Sequence, residues 1–291
     1  MTSIISSNGA SGALLKIQQQ AERIGQMYED DPRTETFNAI IYGPPKVGKT
    51  TLLHTCPAPI FVHSFDPGGS KVIDADIKNG RALVDTQFEV DDPMKPRAFA
   101  KWEAEMASLE KSGFFNHVGT FVVDSMTTWG QCIMYDVIRT AAVKSTKRKV
   151  GTHPHQQDWM PQMSIIEKWM RKFVSLPCNC ILLGHEDIPT DEDGNQIGDK
   201  TMMTTGKLKQ RIPALFDEVY YMHLESAVKG TRKLQTQPRN RISAGSRIGH
   251  GGVFELNEEP DIKAMLKKAG YPYEDKTLFK DLSTTEDEVS S

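Results

Sequence analysis

Apolar residues in this chain fall into short unbroken runs separated by stripes at helical spacing. Leu14, Ile17, Ile24 and Met27 recur with the period of a helix, with Ser11 as its cap and Asp30, Asp31 and Pro32 as its stop. Residues 1–11 are small and polar and read as a disordered tail. Five runs read as buried strands: 37–42 (FNAIIY), 60–64 (IFVHS), 120–124 (TFVVD), 180–184 (CILLG) and 218–223 (EVYYMH). Between them, Phe99, Trp102, Met106 and Leu109 mark a helix that ends at Lys111. Two longer helices are expected at 126–143 and 159–176, the second carrying Ile165, Ile166, Trp169 and Phe173 on one side. A short helix covers 207–215, and a last one covers 260–269 with Pro260 near its first turn. Residues 225–257 read as hairpins, with strands at 234–236 and 253–256. Strands that alternate with helices imply an α/β fold: a mostly parallel five-stranded core sheet with helices on both faces and an added C-terminal β-hairpin region. The expected division is a tail and helix over 1–36, the core over 37–257, and a helix with an acidic disordered tail over 258–291.

The remaining segments are loops of distinct character. Residues 85–97 are acidic and contain two prolines, whereas 144–157 contain four lysines and arginines with His153 and His155. Residues 186–206 have no long periodic segment, and a loop of that length is uncommon without a function.

Composition narrows the setting. With 291 residues the chain is long enough to bury a sizeable core. The net charge of −3 gives no global attraction to nucleic acid or a membrane surface, so such a surface has to be local. Four cysteines make a poor disulfide framework here, and Cys178 and Cys180, placed on opposite faces of a strand, read as reduced core thiols rather than metal ligands. No apolar run approaches the roughly 18 residues of a membrane span, and the first ten residues do not form a secretory signal. Together these features predict a cytoplasmic protein.

Chemistry enters at 43–50. GPPKVGKT satisfies G-x-x-x-x-G-K-[ST], the pattern of a phosphate-binding loop. Gly43 and Gly48 let the backbone bend so that the N–H groups of Pro-rich 43–51 (Gly43, Pro44, Pro45, Lys46, Val47, Gly48, Lys49, Thr50, Thr51) can surround a phosphate wherever an N–H exists. Lys49 is placed to reach the β- and γ-phosphates of ATP, and the Thr50 hydroxyl to occupy a Mg²⁺ position. Asp124, at the end of an apolar strand, is the expected second metal residue, reaching in from a neighbouring strand. For the carboxylate that activates water, Asp66 after the second strand and Glu186 after the fourth are alternatives. His185 is either a sensor of the γ-phosphate or a hydrogen-bonded loop histidine. Two basic clusters, Lys144, Lys147, Arg148, Lys149 and Lys229, Arg232, Lys233, Arg239, Arg241, Arg247, are either phosphate-neutralising surfaces or solvated loops. Trp159, His153 and His155 are candidates to stack on bases, with the start of a helix core face as the other use of Trp159.

Taken in order, GPPKVGKT, IFVHSFDPGG, TFVVDS, QQDWM, CILLGHE and GKLKQRIPALFDEVYYM resemble the RecA-core ATP-binding proteins encoded by phages, which are related to Sak-type single-strand annealing recombinases. The resemblance covers roughly 37–256. It implies a RecA-like P-loop nucleoside-triphosphatase that uses ATP and Mg²⁺, assembles as a homo-oligomeric ring or filament with ATP between subunits, and acts on single-stranded DNA in recombination or replication beside phage or host replication proteins. It assigns Lys49 and Thr50 to phosphate and metal, Asp124 to the second ATPase motif, and Asp66 to a place where such proteins usually carry Glu. The loop at 186–206 matches a region that touches DNA in RecA, yet here it carries Asp187, Asp191, Glu192, Asp193 and Asp199 against Lys200 alone. That acidity, with the negative net charge, keeps a second class open: an ATPase switch that acts on protein partners as a loader, assembly or defence factor. A small-molecule kinase is disfavoured, because no lid-like arginine-rich segment stands between the third and fourth strands beyond the basic loop.

Overall fold

The computed structural model describes residues 7–226, 228–249 and 251–277, so residues 1–6 of the tail expected at 1–11, and the tail expected at 281–291, lie outside the described residues, while 7–11 are helical. The chain divides into two compact units, Met1–Glu35 and Thr36–Ser291. The first contains helix α1 (Ser7–Glu29), which begins four residues before the expected cap at Ser11, and a 3₁₀ turn at Pro32–Glu35.

The second unit is built on one sheet. Its strands are β1 (Asn38–Gly43), β2 (Ile60–Ser64), β3 (Ala82–Asp85), β4 (Thr120–Asp124), β5 (Asn179–Asp187), β6 (Thr201–Met202), β7 (Glu218–Ser226), β8 (Thr231–Gln235), β9 (Gly245–Ser246) and β10 (Asn257–Glu258). The helices are α2 (Asp74–Lys78), α3 (Ala98–Ser112), α4 (Met126–Lys144), α5 (Trp159–Phe173), α6 (Leu208–Arg211) and α7 (Ile262–Ala269). The order across the sheet is β10-β8-β7-β1-β5-β4-β2-β3. Pairing is parallel from β7 to β3 and antiparallel where β8 and β10 extend the β7 edge. The parallel core therefore has a sixth strand beyond the expected five. β3 escapes a reading of apolar runs because it is a four-residue edge strand with Ala82 buried and Leu83 39% exposed.

Alternation along the central strands feeds two cores. Ile40, Tyr42, Phe121, Val123, Cys180 and Leu182 face the layer of α3, α4 and α5. Ala39, Ile41, Val122, Ile181 and Leu183 face Leu52, Leu53, Ile73 and the α7 residues Ile262, Met265 and Leu266. Trp102 of α3 centres the first layer, with ring centroids 4.5 Å from Trp169 and 5.3 Å from Trp129. Burial of such rings supplies the main driving force for closing this layer on the sheet. Cys178 and Cys180 both lie in this first core and not on the expected opposite faces, because residues two apart on a strand share a face. All four cysteines are buried free thiols.

Of the boundaries that differ from the expected ones, three have a plain local cause. Residues 253–256 form no ladder: Gly251 and Gly252 adopt left-handed φ of 77° and 86°, and Thr236 holds the segment through Glu255 O and Leu256 O. Helix α5 stops at Phe173, ahead of Pro177. Pro260 precedes α7 instead of sitting in its first turn, and Asp261 is the cap, accepting from the Ala264 N–H at 2.9 Å. Among the described residues no helix is long and apolar enough to cross a membrane.

Candidate functional site

The site forms at the carboxyl ends of β1, β2, β4 and β5, the edge where open α/β sheets receive ligands. β1 is buried along its whole length and ends at Gly43. A Cβ on Gly43 would lie 2.3 Å from the Met222 carbonyl oxygen of β7, so only glycine lets the chain leave the sheet here. The following turn uses left-handed φ at Lys46 (62°) and φ 107° at Gly48. Leu52 and Leu53 anchor the turn from below through a short 3₁₀ helix, Thr51–Thr55, which Pro57 and Pro59 keep short. Among the described residues, the N–H groups of Gly48, Lys49 and Thr50 have no acceptor. Three successive donors left open in this way are the kind of backbone pattern that can receive an anion. The Lys49 ammonium lies against the same turn and donates to the carbonyls of Gly43 and Pro44, both at 2.9 Å.

Asp124 ends β4, which pairs with β5 and β2. β5 thus separates it from the loop strand β1, and the expectation of a directly neighbouring strand is corrected. The reach is kept because Thr50 projects across: its hydroxyl donates to Asp124 Oδ2 at 2.7 Å. Burial pushes the Asp124 carboxyl up to about 6, opposed by the Thr50 hydrogen bond, with Asp66 adding to the rise and Lys49 countering it. Burial likewise depresses the Lys49 ammonium, against the pull of Asp124, Asp66 and Glu186. A hydroxyl and a carboxylate side by side are hard oxygen donors that suit Mg²⁺, which keeps several waters and takes phosphate oxygens as further ligands. Among the described residues no group of three or more His, Cys, Asp or Glu could hold a metal ion, so a cation here would draw on phosphate and water.

Asp66 stands beside this pair. The N–H groups of Phe65 and Asp66 both donate to the Asp124 carbonyl, at 2.6 and 3.3 Å. Asp66 Oδ1 accepts from the hydroxyls of Ser125 (3.0 Å) and Thr128, while Oδ2 faces His185 Nε2 at 3.3 Å. The His185 N–H donates to Thr127 Oγ1 at 3.1 Å. Glu186 is held differently: it accepts from the Tyr221 hydroxyl at 2.8 Å, and the Lys200 ammonium lies 3.9 Å away. Glu89 completes the carboxylate set, accepting from Ser64 Oγ at 2.7 Å and the Gly68 N–H at 3.1 Å.

Sequence reasoning missed Ser125, Thr127, Thr128, Glu89, Lys200 and Tyr221. The run of hydroxyls directly after Asp124 was a readable signal, since Ser125 is the cap of α4 and accepts from the Thr128 N–H. Lys200 and Tyr221 carried none, because each is remote in sequence from the residues it meets.

The basic clusters are dispersed. Arg148 is buried against Asp158 at 2.6 Å, whereas Lys144, Lys147 and Lys149 are exposed. In the second cluster Lys233 pairs with Glu259, Arg247 with Asp217, and Arg232 turns toward the phosphate-type loop. The acidic loop folds on itself, with Asp191 accepting from the N–H groups of Asp193 and Asn195, and Lys209 paired with Asp187. A groove of about 1180 Å³ opens between α4, α5 and the flanking loops, its walls including Met126, Met134, Met163, Trp159 and His153, with Lys207 and Arg211 on its rim. Trp159 is 39% exposed, so it is a groove residue and not a core one.

Comparison with known proteins gives one family. A model described as an AAA domain matches residues 36–248, most of the chain. No curated protein matches it. Among solved structures, one described as a prototypical ATPase from the type III secretion system of pathogenic bacteria is similar, with 14% identity and a TM-score of 0.44 over 80% of this chain and 62% of that one.

Proposed function

The chain belongs to the AAA-domain family of P-loop ATPases, and from that premise we propose that it binds and hydrolyses ATP at 43–50 to drive work on single-stranded DNA in recombination or replication. The observation that carries the ATP reading is the row of open N–H groups at Gly48, Lys49 and Thr50, with Thr50 hydrogen-bonded to Asp124. The loop donors take the β-phosphate, and Lys49 exchanges its two carbonyl partners for phosphate oxygens. Thr50 and Asp124 are the residues that would hold Mg²⁺, which would supply charge neutralisation to the phosphates. Asp66 is the base: Ser125 and Thr128 fix one of its oxygens, leaving the other, beside His185, to orient a water and take its proton. Glu186 is engaged by Tyr221 and Lys200 and is the weaker candidate.

The single-stranded DNA reading is supported by the groove at the carboxyl edge, where Trp159 and His153 offer stacking faces and Lys207 and Arg211 sit on the rim. Work on DNA in a homo-oligomeric ring or filament, with phage or host replication proteins alongside, is part of the same proposal. A second reading, an ATPase switch acting on a protein partner, is favoured by two observations: the groove walls are rich in methionine, and several cations of the basic clusters are already paired. Titration of labelled single strands across a salt series, with ATP and Mg²⁺ present, separates the two. Binding that weakens steeply with salt supports DNA. No binding at low salt removes the DNA reading and leaves the protein partner.

A further inference from the structure

Arg232 lies in β8, opposite Leu224 of β7, and its side chain reaches over the loop at 43–50. Its Nε donates to the Val47 carbonyl at 2.6 Å, and Nη1 donates to the Gly230 carbonyl at 3.3 Å. The contact is close enough to shape the loop: a Cβ on Gly48 would lie 2.9 Å from Arg232 Nε and 3.1 Å from Cδ. Among the described residues Arg232 has no carboxylate within 4.0 Å, whereas its neighbour Lys233 is paired with Glu259. An uncompensated guanidinium is thus held against the backbone of the loop.

The Val47 carbonyl and the Gly48 N–H are two ends of one peptide group. That group is planar and trans, so the two bonds point in opposite directions. Fixing the oxygen toward the β7–β8 hairpin turns the Gly48 N–H away from that hairpin, and this N–H has no acceptor among the described residues. A cation bonded to the oxygen also draws electron density from the nitrogen and makes the N–H a stronger donor. We propose that Arg232 is a positioning residue of the nucleotide site, which aims and polarises the Gly48 N–H toward the β-phosphate through the Val47–Gly48 peptide. The inference rests on the reading of 43–50 as a phosphate-binding loop.

The role predicts effects on the binding of ATP and ADP alike, because the β-phosphate is present in both. Arg232→Ala, Arg232→Gln and Arg232→Lys are compared with the unmodified protein by titration with a fluorescent ADP and by the amide resonance of Gly48 in the nucleotide-free chain. Arg232→Ala is expected to weaken ADP and ATP by about tenfold, the scale of one charge-assisted hydrogen bond. Arg232→Lys, which keeps the charge, is expected to restore part of the affinity, and Arg232→Gln less. The Gly48 amide proton is expected to move upfield in Arg232→Ala. ADP affinity equal to that of the unmodified protein in the Ala and Gln variants, or an unmoved Gly48 resonance, overturns the inference. An unmodified protein that binds no nucleotide overturns the phosphate-loop reading instead, and the Gly48 resonance still reports the Arg232 contact.

Discussion

Asp66→Asn is the substitution that separates geometry from chemistry at this site. The change replaces one oxygen by an NH₂ group of nearly the same size. Asparagine retains an oxygen that can accept from Ser125 and Thr128, and its NH₂ takes the place of Oδ2 beside His185. The turn is also fixed by the backbone bonds from Phe65 and Asp66 to the Asp124 carbonyl, which the substitution leaves alone. Folding stability is therefore expected to stay within about 0.5 kcal/mol, as for substitutions that break no buried network. What is lost is the ability to take a proton from water. General-base catalysis contributes roughly 10²–10⁴-fold, so kcat is expected to fall by at least about a hundredfold, equal to about 2.7 kcal/mol of barrier. Glu186→Gln is the matched comparison: its oxygen still accepts from Tyr221, and the expected loss is under about tenfold. Steady-state phosphate release, with nucleotide affinity measured in parallel, decides between them. A larger loss in Glu186→Gln would move the base role to Glu186, and near-normal turnover in both would remove a side-chain base from the account.

Two further outcomes follow from packing and burial. Gly43→Ala forces a methyl group into the Met222 carbonyl and is expected to destabilise the fold by about 1–3 kcal/mol and to impair nucleotide binding, whereas Gly119→Ala, whose Cβ would meet the Ala58 carbonyl at 2.4 Å far from the loop, is expected to destabilise comparably with affinity of the folded fraction intact; equal affinity in both would argue against the close packing of β1 on β7 as a loop determinant. His63, buried with its Nδ1 accepting from Trp102 Nε1 at 2.8 Å, has its pKa pushed down to about 3 by burial. Its unfolded value is near 6.5, so the unfolded chain binds the extra proton first: the stabilisation is complete above about pH 6.5 and is lost at about 1.4 kcal/mol per pH unit as pH falls toward 3. Urea unfolding from pH 7 to 4 is expected to show that slope and His63→Gln to flatten it by about one proton; an unchanged slope would mean that His63 does not stay neutral.

The legible parts of this protein were those written in contiguous residues. The apolar runs at 37–42 and 120–124 each announced a buried strand, and the glycines and lysine of 43–50 announced the loop, because each depends on local spacing. The parts that stayed hidden depend on where the chain returns. β3 has one buried face and four residues, too few to show a period. Lys200 reads as a lone cation in an acidic loop until the antiparallel pairing of β5 with β6 brings that loop back toward Glu186. Arg232 reads as one member of a basic cluster until the β7–β8 hairpin lays it across Gly48. Asp124 ends β4 as the apolar run 120–124 implied, but its separation from β1 by β5 is a property of strand order, which no run of residues encodes.

The central claim is that ATP is bound and turned over at 43–50, and Lys49 tests it most directly. Its ammonium is the buried cation that lies on the loop's own carbonyls. Phosphate release from ATP in the presence of Mg²⁺, measured on the unmodified protein and on Lys49→Ala, is predicted to show turnover in the first and none in the second. Equal turnover in the two proteins, with both folded, would contradict the account.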